Sequence, residues 1–375
     1  MSDLLADTVN DLLRDAEDDV APGADAGWDP RLWARLEDLG LTGIGIPEDA
    51  GGAGGTLADA AVVARACGYH AAAVPFADHA FVAAWALTRA GLPLPDGPLS
   101  VALGPPAGFT TGSGDDATVT GTLPGVPWGR HASRIVVVVG GADCDETRVA
   151  VIDPAHARIT EGVNLAGEPR DDVAFDGAPA KVRVVRDGSV DVPGALARGA
   201  LARSVALTGA ARRVLDLTVR YAGEREQFGR PIGRFQAVQQ ELAELAGAVE
   251  QAEAMADQAI ALAEALGDAA GGSAGGSAGG SAGGVPEPGV ARAAAAAAKI
   301  CAGRAAGIAK TTGHQLHGAI GFTQEHSLHR FTRRLLAWRD EYGAEAQWAA
   351  ELGDAVAAGG ADGLWRLLTS GGVDG

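Results

Sequence analysis

Cysteine is scarce: Cys67, Cys144 and Cys301 are the only three in a chain of 375 residues. They form no CxxC pair and have no histidine at ligand spacing, which argues for free thiols in a reducing compartment and against a disulfide framework or zinc site. Basic residues are also outnumbered, with 30 Lys and Arg against 48 Asp and Glu and a net charge of −18. A nucleic-acid partner needs a basic face, so that class is set aside. The acidity reads as solubility and mutual repulsion. No run approaches the roughly 20 apolar residues that span a bilayer. The opening MSDLLADTVNDLLRDAEDD is acidic and periodic where a signal peptide is basic and then apolar. A cytoplasmic location without membrane insertion is therefore expected. No GxGxxG joins a strand to a helix, so a Rossmann site is not supported.

What is present divides into three regions of an α+β fold. Residues 1–97 read as an N-terminal helical domain. Leu4, Leu5, Val9, Leu12 and Leu13 recur at helical spacing, Trp33, Leu36, Leu39 and Leu41 form a second apolar face, and Leu57 to Ala90 is apolar enough for a buried helix pair. Between them GIGIPEDAGGAGGT must be loop. Residues 98–192 carry short β-branched runs (ATVTGTL, RIVVVV, TRVAVID, KVRVVR) punctuated by Gly, Pro, Asp and Thr, as in an antiparallel sheet or small barrel. Residues 193–375 return to long helices and predict a four-helix bundle. One face carries Val214, Leu217 and Tyr221. Another carries a stripe from Val238 through Leu242, Leu245, Val249, Ala252, Ala256 and Ile260 to Ala263. Within it 267–289 predicts a flexible Gly/Ser/Ala hairpin centred on GGSAGGSAGGSAGG.

Two blocks carry the chemistry. YAGEREQFGRPIGRFQAVQQELAELA (221–246) and GHQLHGAIGFTQEHSLHRFTRR (313–334) resemble the two flavin-contacting signatures of the acyl-CoA dehydrogenase family, in the same order and at similar separation. GLTGIGIPEDAGGAGGT resembles that family's N-terminal Pro–Gly–Gly loop. The resemblance is dense over 193–340 and loose before it. It implies the helix–sheet–bundle fold, FAD as cofactor, an acyl-CoA substrate, at least a dimer, and an electron-transfer flavoprotein as a further partner. Arg225 has the forked cation that suits a pyrophosphate. Gln227, Gln236 and Gln315 offer donors and acceptors, Phe228 a stacking surface, and Gly318 and Ala319, with Gly229 and Gly321, a close backbone approach. In the family these groups reach the FAD of a neighbouring subunit. Trp128 answers weakly to a middle-domain flavin motif and equally to a core tryptophan. His314, His317, His326 and His329 come without a carboxylate set, so no metal site is expected.

The resemblance fails at the catalytic base, a carboxylate that takes the α-proton of the thioester. Aligned on the second block, Gly343 stands at the usual glutamate, between Tyr342 and Gln347. The alternative position, early in the first bundle helix, falls on Ala202. Glu341 and Glu345 flank Gly343 as weak substitutes. The middle domain has VALGPPAGFTTGSG where the family carries Thr-Glu-Pro. Three functions follow from the resemblance: an FAD-dependent acyl-CoA dehydrogenase in lipid or sterol-side-chain breakdown, a non-catalytic subunit completing the FAD site of a heteromeric dehydrogenase, or an oxidase or monooxygenase on the same scaffold.

Overall fold

A computed structural model describes residues 2–18, 27–105, 108–140, 146–271 and 288–369. Most of the 267–289 hairpin, and Cys144, lie outside the described residues. Four helices open the chain: α1 (Ser2–Asp18), α2 (Pro30–Asp38), α3 (Leu57–Tyr69) and α4 (Ala84–Arg89), the last entered through a π-helical turn, Ala77–Ala83. Local chemistry sets their starts. Asp29 accepts from the amides of Arg31 and Leu32 ahead of Pro30, and Thr56 with Asp59 makes a capping box. In α2 the buried face is Leu32, Trp33 and Leu36; Leu39, expected there, is 54% exposed because the helix ends before it.

The sheet has seven strands: β1 (Leu99–Leu103), β2 (Thr110–Thr111), β3 (Gly114–Pro127), β4 (Arg134–Val139), β5 (Thr147–Ile152), β6 (Ala157–Thr160) and β7 (Arg170–Val185). Their order is β1-β4-β5-β7-β3-β2, with β6 also on β7. All pairs are antiparallel except β1–β4, which is parallel. Ile135 to Val138 of β4 are fully buried on both faces, which explains a continuous apolar run in place of alternation. The sheet curls until the Ser100 hydroxyl of β1 donates to the Pro127 carbonyl of β3, leaving a gap between the two strands.

The C-terminal part holds α5 (Val192–Glu224), a hairpin of β8 (Glu226–Gln227) and β9 (Arg230–Pro231), α6 (Gln236–Gly271), α7 (Pro288–His317), α8 (Leu328–Trp338) and α9 (Glu345–Thr369). Helices α3 and α5 touch backbone to backbone. A methyl group on Gly68 would lie 2.1 Å from the Ala206 oxygen, and one on Gly209 would lie 2.0 Å from the Arg65 oxygen. The α6 seam begins at Leu245; Val238 and Leu242 are only half-buried. One core runs from α1–α4 through β1 and β4 into α5 and α7, so the helices and the sheet are packed as a unit. Buried His79 bridges this junction: Nε2 donates to the Thr42 carbonyl and Nδ1 accepts from the Leu99 amide. Burial pushes its pKa down to about 4, keeping it neutral. Among the described residues no helix is long and apolar enough to cross a membrane.

Candidate functional site

The gap between β1 and β3 opens into a cleft of ≈ 420 Å³, floored by Leu196 of α5 and the turn at 339–343. Its walls are apolar (Val101, Leu103, Leu123, Pro127), and its polar groups are Arg170, Glu341 and Tyr342. The cleft therefore collects the segments in which the family's flavin and base motifs are missing.

The carboxylate lining the cleft, Glu341, is bound through both oxygens. Glu341 Oε1 accepts from Asn164 at 3.1 Å and from Arg170 Nε at 3.0 Å, and Oε2 accepts from Arg203 Nε at 2.7 Å. Burial alone would raise its pKa, but the two guanidiniums outweigh it and hold the carboxyl down at about 2. Glu345 is engaged by Arg339 and packs over Gly303, where a methyl group would lie 2.6 Å from it. Ala202 is buried in the core at 1% exposure and does not line the cleft.

The turn has been rebuilt around Gly343. Its φ is 97°, and a Cβ there would meet the Trp348 indole nitrogen at 2.6 Å. That indole is fixed by donating to the Tyr342 carbonyl at 3.0 Å. Any side chain at 343 is excluded by both backbone and packing. Tyr342 itself has φ 54°. Its ring lies where a methyl on Gly199 would come within 2.2 Å, and its hydroxyl donates to Asp78 at 2.6 Å.

Beneath the cleft runs a buried charge network joining all three regions. Arg203 of α5 grips both oxygens of Asp78, on the π-helical turn, at 3.0 and 2.8 Å. Glu341 links Arg203 to Arg170 of β7. Glu168, beside Arg170, accepts from Trp338 at 2.8 Å and lies 3.3 Å from Arg334 of α8. Three guanidiniums thus face three carboxylates. Fully buried Lys299 of α7 donates to the carbonyls of Trp338 and Arg339 at 3.0 and 2.8 Å, tying down the end of α8; burial lowers its pKa to about 7. Sequence reasoning missed this network. Its trace was two lone charges in apolar runs, Asp78 in FADHAFVAA and Arg203 in GALARSVALTG, since an ion rarely enters such a run unless paired.

The two signature blocks meet elsewhere, at one end of the bundle. The Tyr221 ring stacks on His317 at 4.4 Å and its hydroxyl reaches the His317 carbonyl at 3.4 Å. Arg225 ends α5 with an exposed side chain that has no hydrogen bond or ion pair among the described residues. Beyond it Phe228 and Gly229 turn the hairpin with φ of 52° and 80°, the type I′ geometry. Phe228 is 93% exposed at that tip, edge-on to Phe235. Gln227, Gln236, Gln315, Gly318 and Ala319 are exposed as well, as are Ile320 and Phe322, at 42% and 71%. Trp128 lies apart: it is 3% exposed, has φ 56° and packs on Trp28 at 6.2 Å, while its neighbour Pro127 lines the cleft. Two of the four histidines also pack together there, His317 on His326 at 4.8 Å.

Comparison with known proteins gives a consistent picture. The profile "Acyl-CoA dehydrogenase, C-terminal domain" matches residues 187–346 and "Acyl-CoA dehydrogenase, N-terminal domain" matches 2–93. Acyl-CoA dehydrogenase IpdE2 of Mycobacterium tuberculosis is 30% identical over 319 residues, covering 84% of this chain and 83% of its own. Acyl-CoA dehydrogenase FadE27 of the same organism is 34% identical over 241 residues, 58% of this chain and 62% of its own. Among solved structures, the "Tcur3481-Tcur3483 steroid ACAD G363A variant" superposes with a TM-score of 0.76 at 24% identity, over 96% of this chain and 99% of that one. The ChsE4-ChsE5 complex from Mycobacterium tuberculosis gives 0.76 at 24%, over 95% and 97%.

Proposed function

The chain belongs to the acyl-CoA dehydrogenase family, and from that membership we propose that it is the non-catalytic subunit of a heteromeric acyl-CoA dehydrogenase, completing an FAD site held mainly by another chain. The observation that carries the reading is Gly343, whose surroundings leave no room for the base. Its cleft also fits a flavin poorly. The polar groups there are spent on one another, and Pro105 brings no amide to the strand edge. The bundle end fits the cofactor better, because its polar groups are exposed and its backbone is open: nothing lies within 4 Å of a Cβ on Gly318 or Gly229.

In this proposal Arg225 holds the pyrophosphate through its fork. Gln227, Gln236 and Gln315 bond polar edges of the cofactor, and Phe228 covers an apolar part of it. When bound, FAD supplies the hydride acceptor for α,β-dehydrogenation of an acyl-CoA thioester. The partner would supply the base and the substrate pocket, and an electron-transfer flavoprotein would be the further partner that takes the electrons. The regions 1–97 and 98–192 then brace the bundle of 193–375. Two of the similar structures are complexes of two named chains, one titled a steroid ACAD, which supports a heteromer and a bulky sterol-type or lipid acyl-CoA. One similar structure is titled an acyl carrier protein oxidase, but at 16% identity it shows the fold alone.

Purification tests this directly. The chain alone should be colourless, and coexpression with an FAD-holding family member should give a yellow complex that bleaches on adding acyl-CoA. A chain that is yellow alone and bleaches with acyl-CoA is a self-sufficient dehydrogenase, and the proposal is then wrong.

A further inference from the structure

The loop between α7 and α8, residues 318–327, presents Gly318, Ala319, Ile320 and Phe322 to the proposed partner. Its shape depends on histidines. Ser327 occupies the N-cap position of α8 but makes no capping bond. The imidazole one residue earlier does the work instead: Nδ1 of His326 accepts from the Leu328 amide at 3.1 Å. An amide can only donate, so this nitrogen carries no proton. A proton added there would turn the acceptor into a donor facing a donor, at the positive end of a helix.

The neighbouring rings are equally intolerant of charge. His317 Nδ1 lies 2.8 Å from the Gly313 carbonyl and must donate to it, which leaves Nε2 as a bare acceptor. That Nε2 is buried without a partner, in a ring stacked on Tyr221 and edge-on to His326. His314 stacks on Phe322 at 4.2 Å, touches Thr332 through Nε2 at 2.9 Å, and has a buried Nδ1 without a partner. The charged and titratable groups acting on these three rings are Arg220 of α5, Lys310 of α7, His329 of α8 and the rings themselves. Among the described residues no carboxylate shifts them, and Glu325, adjacent in sequence, is exposed. Burial first lowers the pKa of all three histidines and the neighbouring basic groups add to it, while at His317 the bond to the Gly313 carbonyl opposes the shift without reversing it.

We propose that His326, with His317 and His314 behind it, is an acid-sensitive latch that shapes the 318–327 loop at neutral pH and releases it when protonated. That this loop faces a partner rests on the functional reading above; the latch itself rests only on the bonds within this chain. A histidine held neutral when folded takes up its proton more readily once released. The latch is therefore fully closed above the ordinary value of 6.5 and weakens as pH falls below it, until the folded rings also titrate. Acid should loosen the loop and the first turn of α8, and through them weaken assembly.

The test is hydrogen exchange of the full chain alone, corrected for intrinsic rates, near pH 7.5 and near pH 5. Peptides spanning 318–332 should lose about tenfold or more in protection while β4 and β5 do not change. In His326→Asn the side-chain oxygen can accept the same i+2 amide at either pH, as in an Asx turn, so this variant should keep its protection in acid. Equal protection of the wild-type loop at both pH values would overturn the latch, as would a loss in the Asn variant matching the wild type. The nitrogen shifts of the His326 ring give an independent check: a proton on Nδ1 near pH 7.5 would also overturn it. Capture of an FAD-loaded partner is a separate measurement. No complex at pH 7.5 would count against the partner reading, and exchange in the isolated chain would still decide the latch.

Discussion

The cleft and the bundle end treat polarity in opposite ways. In the cleft every charge is answered: Glu341 has Arg170, Arg203 and Asn164, and Arg203 has Asp78. At the bundle end Arg225 has nothing to answer it among the described residues, and Phe228 is 93% exposed on a strained turn. A satisfied network is stable and chemically idle, because its groups have no free valence for a substrate. An exposed cation is hydrated and free to take a partner, and an exposed aromatic ring gains by burial against a second surface. The comparison teaches where to look for function: in the region that is incomplete by itself.

The largest effect expected from breaking this contrast is in the network. Arg203→Met leaves two buried carboxylates short of a cation and should cost about 3–5 kcal/mol in urea unfolding, against less than about 0.5 kcal/mol for Arg225→Met in the isolated chain. Equal losses would erase the distinction. Next comes acid. Glu341 is held at about 2 when folded against an ordinary 4.5, so its contribution is present above 4.5 and is lost as pH falls toward 2. Unfolding free energy should drop by about 2–3 kcal/mol more between those limits in the wild type than in Glu341→Gln. A smaller and more selective effect is expected at the hairpin. Phe228→Gly should relieve a left-handed φ and leave the chain unchanged or up to about 1 kcal/mol more stable, yet weaken capture of the FAD-loaded partner about tenfold. Urea unfolding would read the first arm and isothermal titration the second. The smallest effect belongs to Glu345→Gln, expected to change turnover of the assembled complex by less than about twofold. A hundredfold loss would return Glu345 to the role of base.

Much of this was readable in the chain, and what was not has a common cause. The stripe at Leu245, Val249, Ala252, Ala256 and Ile260 and the valine run of β4 announce themselves because each depends on local sequence alone, the first on helical period and the second on a short β-branched run. The I′ turn at Phe228–Gly229 does not, because it shows only once the flanking pairs are seen to close a hairpin. That a glycine stands at 343 was legible in the sequence. Why no side chain fits there was not, because Trp348 reaches it only through a turn with φ of 54° and 97° at Tyr342 and Gly343. Local spacing likewise cannot show that β1 lies parallel to β4, or that Asp78 and Arg203, 125 positions apart, form a bidentate pair. Glu341 shows the limit most clearly. Its sequence neighbours make it a candidate base and give no sign of the partners from β7 and α5 that engage both its oxygens.

The π-helical turn at Ala77–Ala83 leaves the chain with an unusual sensitivity. A π turn holds one residue more than an α turn over the same rise, and Asp78 sits near its start. Deleting a single alanine there would let an ordinary helix form and swing the carboxylate about 100° around the axis, away from Arg203. The segment should therefore tolerate many exchanges of one small residue for another and no change in their number. That is a constraint on insertions and deletions that a substitution scan would never reveal.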